Sequence, residues 1–173
     1  GNPPPRITET ASGMLNSIGL ANIGVTAFLE TKLPVLRTLG TKIIVNIAAS
    51  SVEEYCQVLE ILESAEGIDA YEINVSCPNV KEGGLNFGTD CTKTAEITRE
   101  LRKRTEKPLI LKLTPNVTHI SEFARAVAEA GAEHVGRAQR ARGRMHASVG
   151  DQVEHAGLTR HALDAHLHAR MHG

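Results

Sequence analysis

The pattern of apolar and polar positions predicts three repeats of a buried strand followed by a helix. Apolar runs rich in branched residues predict the strands, at residues 42–48, 69–75 and 108–114. Helical spacing of apolar residues predicts helices that begin at Ser50, cover 91–104 and cover 121–130. Strands this continuously apolar, alternating with amphipathic helices, are typical of a parallel sheet buried on both faces. The sequence therefore predicts an α/β fold.

Local signals mark some of the boundaries. Ser50 with Glu53 three residues later matches a capping box, and Gly131 is a predicted helix C-cap. Residues 132–135 resemble the start of a fourth strand that is not completed. Residues 1–24, rich in Pro, Gly, Asn and Ser, predict a loop. Residues 25–39 have helical spacing with a possible break at Pro34.

Polar residues recur at one position of the three strands. The strands contain IIVN, YEIN and LILK, so Asn46, Asn74 and Lys112 each stand fourth in a matching register. In a barrel of parallel strands these side chains would converge at the C-terminal mouth, where active sites of such folds lie. A doubly wound open sheet is the alternative architecture, but no glycine-rich dinucleotide fingerprint follows any strand.

Each of these polar residues also has a purely structural interpretation. Asn46 and Asn74 could cap strand ends, or they could offer the donor and acceptor edges that a flat heterocycle requires. A lysine within a buried strand is costly unless it meets an anion or an electron-rich ligand. We favour a ligand for Lys112.

The loop that follows the second strand is the strongest candidate for chemistry. Residues 71–88 read YEINVSCPNVKEGGLNFG, which carries Cys77 and Asn79 from the strand end into a glycine-containing loop. Cys77 could be a nucleophile, a general base, a metal ligand or an ordinary buried thiol. No Cys or His at metal-ligand spacing accompanies it, which disfavours zinc. A thiol in such a loop can accept a proton near neutral pH.

Composition and charge narrow the class of partner. The net charge of −1 and the pI of about 6.8 give no electrostatic reason to expect nucleic acid as a partner. Aromatic residues, which stack on bases, are only 3% of the chain. Three cysteines without framework spacing predict reduced thiols in a cytoplasmic protein. No apolar run approaches the roughly 20 residues that span a bilayer, and the first residues show no signal-peptide pattern.

The composition changes sharply near residue 136. Seven of the eight histidines lie at or after His134, and every lysine lies at or before Lys112. We therefore divide the chain into residues 1–135 and an Arg/His/Ala-rich tail, residues 136–173. His161, His168 and His172 would share one face of a helix and could bind a metal, although His-rich composition specifies function only loosely.

Five segments together resemble a known family. NPPPRITET, GMLNSIGL, IIVNIAASSVEEY, EINVSCPNVKEGGLNFGTD and LILKLTPNVT are similar, in order and spacing, to the class 1B (NAD-linked) catalytic subunit of dihydroorotate dehydrogenase. The resemblance covers about residues 1–135. The KEGG…FGTD loop favours class 1B over class 1A and over dihydropyrimidine dehydrogenase.

The resemblance implies a (β/α)8 TIM barrel with FMN at its C-terminal mouth, of which this chain would hold about three complete βα units. Cys77 matches the base that removes a proton from C5 of dihydroorotate while a hydride leaves C6 for the flavin. Asn46, Asn74 and Lys112 match residues that contact FMN. The substrate-binding residues of the family match Asn16, Ser17, Ile18, Gly19, Leu20, Asn74 and Asn79.

The resemblance also implies partners. Dihydroorotate would be oxidised to orotate in de novo pyrimidine biosynthesis, in the cytoplasm. Electrons would pass to a partner subunit that carries FAD and an iron–sulfur cluster, and then to NAD. The full-length enzyme is expected to be a homo-oligomer, without nucleic acid or membrane as a partner.

The chain departs from the family pattern at both ends. The first two barrel strands are expected upstream of Gly1, and the later phosphate-binding loops have no counterpart after Val135. The tail resembles out-of-frame translation and is expected to be poorly ordered. These departures predict an internal fragment that is catalytically inactive on its own, which is the alternative to a working enzyme.

Overall fold

The computed structural model describes residues 1–76 and 87–137. In chain order, its strands and α-helices are β1 (Ile7–Thr10), β2 (Gly13–Asn16), α1 (Val25–Ala27), α2 (Leu33–Leu36), β3 (Ile44–Ile47), α3 (Val52–Glu63), β4 (Ala70–Asn74), α4 (Cys91–Arg102), β5 (Leu109–Leu113), α5 (Ile120–Glu129) and β6 (His134–Arg137). No helix in the described part of the chain is long and apolar enough to cross a membrane.

Strands β3 to β6 form a four-stranded parallel sheet in the order β3-β4-β5-β6. The predicted α/β fold with a parallel sheet is confirmed, and each of the three predicted strands is present with slightly shorter bounds. The fourth strand differs from its prediction, because β6 continues to Arg137 and pairs with β5 over four residues. Backbone pairing with β5 extends the strand beyond the point where the apolar pattern ends.

Helix α3 begins one residue later than the sequence suggests. Ser51 is its N-cap, and the Ser51 hydroxyl accepts a hydrogen bond from the backbone N–H of Glu54 at 3.1 Å. Ser50 instead donates from its N–H and its hydroxyl to the Glu54 carboxylate, and these bonds lower the pKa of Glu54. Two serines and two glutamates in succession offer the same capping spacing twice, and the sequence could not choose between them.

The other predicted boundaries agree with the structure more closely. Helix α5 ends before Gly131, whose φ of +106° is the left-handed conformation that favours glycine after a helix. Helix α4 begins at Cys91, and its N-cap Asp90 accepts from the backbone N–H of Lys93 at 3.1 Å through its side chain. Pro34 does not break its helical segment, because it lies in the first turn of α2 after the π-helical turn Phe28–Lys32.

The N-terminal region contains a hairpin where the sequence predicted a loop. β1 and β2 pair antiparallel, with Ile7 opposite Asn16 and Thr10 opposite Gly13. All eight residues of the two strands are exposed. Such a hairpin depends on backbone pairing and a tight turn, so four-residue strands of mixed polarity leave little apolar pattern to detect it.

The helices cover one face of the parallel sheet and form the core with it. Side chains on a strand alternate between the two faces, so Ile47, Tyr71 and Ile73 share a face with alternate residues of β5. The sheet contributes Ile47, Tyr71, Ile73, Leu109, Leu111 and Leu113 to this core. Helices α3, α4 and α5 contribute Tyr55, Leu59, Leu62, Ile97, Leu101, Phe123 and Val127. The core therefore lies on the face of the sheet that the helices cover, and the candidate functional site lies on the opposite face.

Asp69 joins the starts of β3 and β4. Its carboxylate accepts from Lys42 Nζ at 2.7 Å and from the backbone N–H of Ile43 at 2.8 Å. Partial burial would raise the pKa of Asp69, but the hydrogen bonds from Lys42 and Ile43 and the positive charges of Lys42 and Lys107 outweigh it and lower that pKa. A lowered folded-state pKa stabilises the fold above the unfolded-state pKa, and this stabilisation disappears as pH falls through the folded-state value.

Asp69→Asn is therefore expected to lower the free energy of unfolding at pH 7 by about 1 kcal/mol, since the group is partly exposed. The difference between the two proteins should begin to shrink below about pH 4, the ordinary pKa of an aspartate in the unfolded chain, and should disappear as pH falls through the lower folded-state pKa. Urea unfolding at pH 7 and at pH 3 measures both values. Glu96→Gln, at an exposed position of α4, is the control for loss of one charge. A difference that stays constant across pH would contradict the assignment.

Candidate functional site

The face of the sheet opposite the helices carries the predicted cofactor-binding residues. Its members are Ile44 and Asn46 on β3, Ala70, Glu72 and Asn74 on β4, Ile110 and Lys112 on β5, and His134 and Gly136 on β6. We call this set the polar face. Its polar side chains concentrate toward the carboxyl ends of the strands, which is the edge where parallel sheets bind ligands.

The three predicted register residues share this face but not one level. Asn74 is the direct partner of Lys112, as predicted. Asn46 is the direct partner of Glu72 and lies two residues lower along the sheet than the prediction placed it. The fourth residues of the three runs would be direct partners only if the first residues of the runs were also partners. The backbone pairing of β3 with β4 instead sets Asn46 opposite Glu72.

Glu72 is the residue of the polar face that sequence reasoning missed. It is only 8% exposed, and its carboxylate accepts a short hydrogen bond from Asn46 Nδ2. The same carboxylate oxygen lies 3.8 Å from Lys112 Nζ. The signal was available, because a glutamate inside an otherwise apolar strand needs a partner. Glu72 connects two of the three predicted cofactor-binding residues.

The sequence predicted that Lys112 needs an anion or an electron-rich ligand, and the structure pairs it with the carboxylate of Glu72. The Lys112 side chain is 29% exposed, and its pairing with Glu72 is an ion pair longer than a hydrogen bond. Within the described ranges, no hydrogen bond engages its three donors. Lys112 therefore has its charge compensated and keeps its donors for another group.

Asn74 has the capping role that the sequence left open. Its Oδ1 accepts from the backbone N–H of Ser76 at 3.2 Å and from the Ser76 hydroxyl at 2.6 Å. This is a side-chain turn at the exit of β4. Its backbone carbonyl accepts from the Tyr55 hydroxyl at 2.9 Å. The side chain is consequently oriented at the point where the chain enters the segment 77–86.

The described residues on both sides of that segment are packed against the core. Beyond it, Phe87 is buried, and its ring meets Tyr55 edge-on with centroids 6.2 Å apart. The hydroxyl of Thr94 donates to the carbonyl of Phe87 at 2.5 Å. Cys77 and Asn79 lie outside the described residues, so their roles remain predictions.

The predicted substrate-binding residues Asn16, Ser17, Ile18, Gly19 and Leu20 lie at the end of β2 and just after it. Here the backbone carbonyl of Ile18 accepts from the backbone N–H of Asn2 at 3.0 Å, and the backbone N–H of Ser17 donates to the backbone carbonyl of Arg6 at 2.8 Å. Gly19 has a φ of +72°, which favours glycine. In the two described ranges, no hydrogen bond links residues 16–20 to the polar face.

Two further titratable groups were not predicted as site residues. His134 stands on the polar face, and its Nδ1 is buried without a hydrogen-bond partner in the part of the chain described. Cys56 is buried in the core, where desolvation raises the pKa of its thiol. Among residues 1–76 and 87–137, no group of three His, Cys, Asp or Glu side chains could hold a metal ion. The predicted metal-binding histidines of the tail lie outside these ranges.

Comparison with known proteins gives one consistent result. The family model described as dihydroorotate dehydrogenase matches residues 1–139. A protein of Geobacter sp. (strain M21) is 50% identical over 133 residues, which are 77% of this chain and 44% of that protein. A protein of Alkaliphilus oremlandii (strain OhILAs) is 53% identical over 135 residues, 78% of this chain and 44% of its own length. Both are named dihydroorotate dehydrogenase B (NAD(+)), catalytic subunit.

The chain thus spans about 44% of the length of the curated relatives it matches. The matched residues include all four strands of the parallel sheet and the whole polar face. With a family match over residues 1–139 and about half of the aligned positions identical, the chain belongs to the dihydroorotate dehydrogenase family.

Proposed function

We propose that this chain contributes to a site that oxidises dihydroorotate to orotate in pyrimidine biosynthesis, with FMN as the electron acceptor. The observation that carries the proposal is the grouping of Asn46, Glu72, Asn74 and Lys112 on one face of the sheet in a chain of this family. The relatives' printed name, an NAD(+)-linked catalytic subunit, supports the same activity.

The residues of the polar face fit a flat heterocycle with mixed hydrogen-bonding edges. Lys112 provides positively charged donors that no described residue engages, and Asn46 is exposed with an amide that can both donate and accept. Asn46, Asn74 and Lys112 would hold the flavin. FMN, when bound, supplies the hydride-accepting chemistry that no amino-acid side chain offers.

The remaining roles belong to the chain's own residues. Cys77 removes the proton from C5 of dihydroorotate and holds it at Sγ, as a general base placed directly after the ordered exit of β4. Asn74 and Asn79 bind the ring through their amides, and residues 16–20 contribute to substrate binding. The ammonium of Lys112 would supply a positive charge beside the cofactor when it is bound.

We further propose that the sheet is part of a (β/α)8 barrel with the polar face inside. The sequential order β3-β4-β5-β6 supports a barrel, because a doubly wound sheet reverses its strand order at the binding crevice. The boundary predicted between residues 135 and 136 falls inside β6, so the barrel part would include all of β6 and the tail would follow it. A partner subunit with FAD and an iron–sulfur cluster would carry electrons to NAD, in a cytoplasmic homo-oligomeric enzyme.

The decisive experiment uses a chimera. The residues of this chain replace the matching 133 residues of the Geobacter sp. protein, and the product is mixed with FMN and desalted. A retained flavin that dihydroorotate bleaches is the expected result. A chimera that retains FMN without bleaching, while the unaltered Geobacter protein bleaches, would refute the proposal.

The chain spans only 44% of its relatives, which favours a second candidate, a polypeptide of this family without activity of its own. The same desalting experiment on the 173-residue chain tests it. A colourless chain beside a working chimera would support the second candidate. A chain that retains a bleachable flavin would exclude it.

A further inference from the structure

The Glu72 carboxylate contacts both Asn46 and Lys112. It accepts from Asn46 Nδ2, and one of its oxygens lies 3.8 Å from Lys112 Nζ. The backbone register enforces the arrangement, since Glu72 is directly opposite Asn46 while Lys112 is opposite the next residue of the same face, Asn74. Glu72 is itself buried, so its carboxylate has little freedom to swing away.

This contact determines which edge of the Asn46 amide is presented. A carboxylate only accepts hydrogen bonds, so the NH2 group of Asn46 must face Glu72. The carbonyl oxygen, on the other arm of the planar amide, is directed away from Glu72. Because Asn46 is exposed, that oxygen offers an acceptor to a bound group. Without Glu72 either edge could be presented.

The same carboxylate locates the Lys112 ammonium. A lysine side chain has several rotatable bonds, and an anion on the neighbouring strand selects the conformations that keep Nζ over the polar face. The distance of 3.8 Å holds the charge nearby without engaging a hydrogen of the ammonium group.

We infer that Glu72 is the positioning residue of the polar face, which turns the carbonyl of Asn46 toward the ligand and holds the Lys112 ammonium beside it. The inference rests on the proposed function, because the ligand it concerns is the FMN proposed above. Glu72 acts through Asn46 and Lys112, and no contact between Glu72 and the cofactor is needed.

The test compares three variants of the full chain. Glu72→Gln keeps an acceptor for Asn46 and removes the charge that attracts Lys112, whereas Glu72→Met has similar volume and removes both. Glu96→Gln is the charge control on the exposed side of α4. NMR of the side-chain amide of Asn46 and the Nζ group of Lys112 is recorded without FMN, and FMN affinity is measured by titration of flavin fluorescence.

For the wild type and the Glu96→Gln control we expect the Asn46 amide protons to be shifted downfield by the charged acceptor. Glu72→Gln should retain a bonded but less shifted amide and release Lys112, and Glu72→Met should release both. In chains that bind FMN, Glu72→Met should weaken binding by about tenfold and Glu72→Gln by less. A merely structural role would not produce this graded rescue.

Each outcome is decisive. Asn46 and Lys112 signals that are identical in the wild type and Glu72→Met would overturn the inference, whether or not FMN binds. Equal FMN affinity in the wild type and Glu72→Met would also overturn it. If the wild-type chain binds no FMN, that result supports the second candidate, the chimera still tests the proposed function, and the NMR comparison still decides the role of Glu72. Should Glu72→Met fail to fold, the comparison of the wild type with Glu72→Gln decides it alone.

Discussion

Gly88→Ala is expected to destabilise the chain by about 3 kcal/mol, because the added methyl group has no space. A Cβ at this position would overlap the backbone carbonyl oxygen of Val75 and would lie 3.1 Å from Thr114 Cγ2. Val75 follows β4 directly and Thr114 follows β5, so relief would require backbone movement at the exits of two strands. Urea unfolding monitored by circular dichroism measures the loss.

Gly136→Ala is the matched control. Gly136 lies in β6, and a Cβ there would meet only ordinary contacts, the nearest being Lys112 Cα at 3.9 Å. It should change the free energy of unfolding by less than about 1 kcal/mol. If Gly88→Ala were as mild as Gly136→Ala, the close approach of residue 88 to the end of β4 would be wrong.

Cys77→Ala is expected to slow bleaching of the flavin by dihydroorotate about 10²- to 10⁴-fold in the chimera, without loss of bound FMN. The reason is that the proposed base for the C5 proton is removed, whereas the residues proposed to hold FMN are untouched. The rate is measured by anaerobic mixing with dihydroorotate, and FMN retention by absorbance after desalting.

Cys91→Ala provides the cysteine control. Cys91 is a partly buried free thiol in the first turn of α4, and alanine is a good helix former at that position. This variant should bleach at the wild-type rate. A Cys77→Ala protein that bleached as fast as Cys91→Ala would remove Cys77 from the proposed chemistry.

The parts of the fold that could be predicted are those with a periodic signal. Apolar runs located β3, β4 and β5, and a glycine after an amphipathic stretch located the end of α5. These predictions succeed because burial imposes the pattern directly on the sequence.

The parts that could not be predicted depend on how separate segments meet. Asn46 lies opposite Glu72 and not opposite Asn74. The register of β3 against β4 determines this, and the sequence of either strand alone does not reveal that register. The need for glycine at residue 88 comes from the carbonyl of Val75, thirteen positions earlier. A glutamate inside β4 implied that some partner exists, but its pairing with Asn46 and Lys112 is apparent only when the three strands lie side by side.

Tyr55 contacts the chain on both sides of the segment 77–86, through its hydroxyl at the Asn74 carbonyl and through its ring at Phe87. A single side chain of α3 therefore couples the exit of β4 to the start of the turn before α4. In hydrogen-exchange terms, the amides of β4 and those around residues 87–94 should open together, as one cooperative unit with a common free energy. The packing of one tyrosine would then set the local stability of both flanks together.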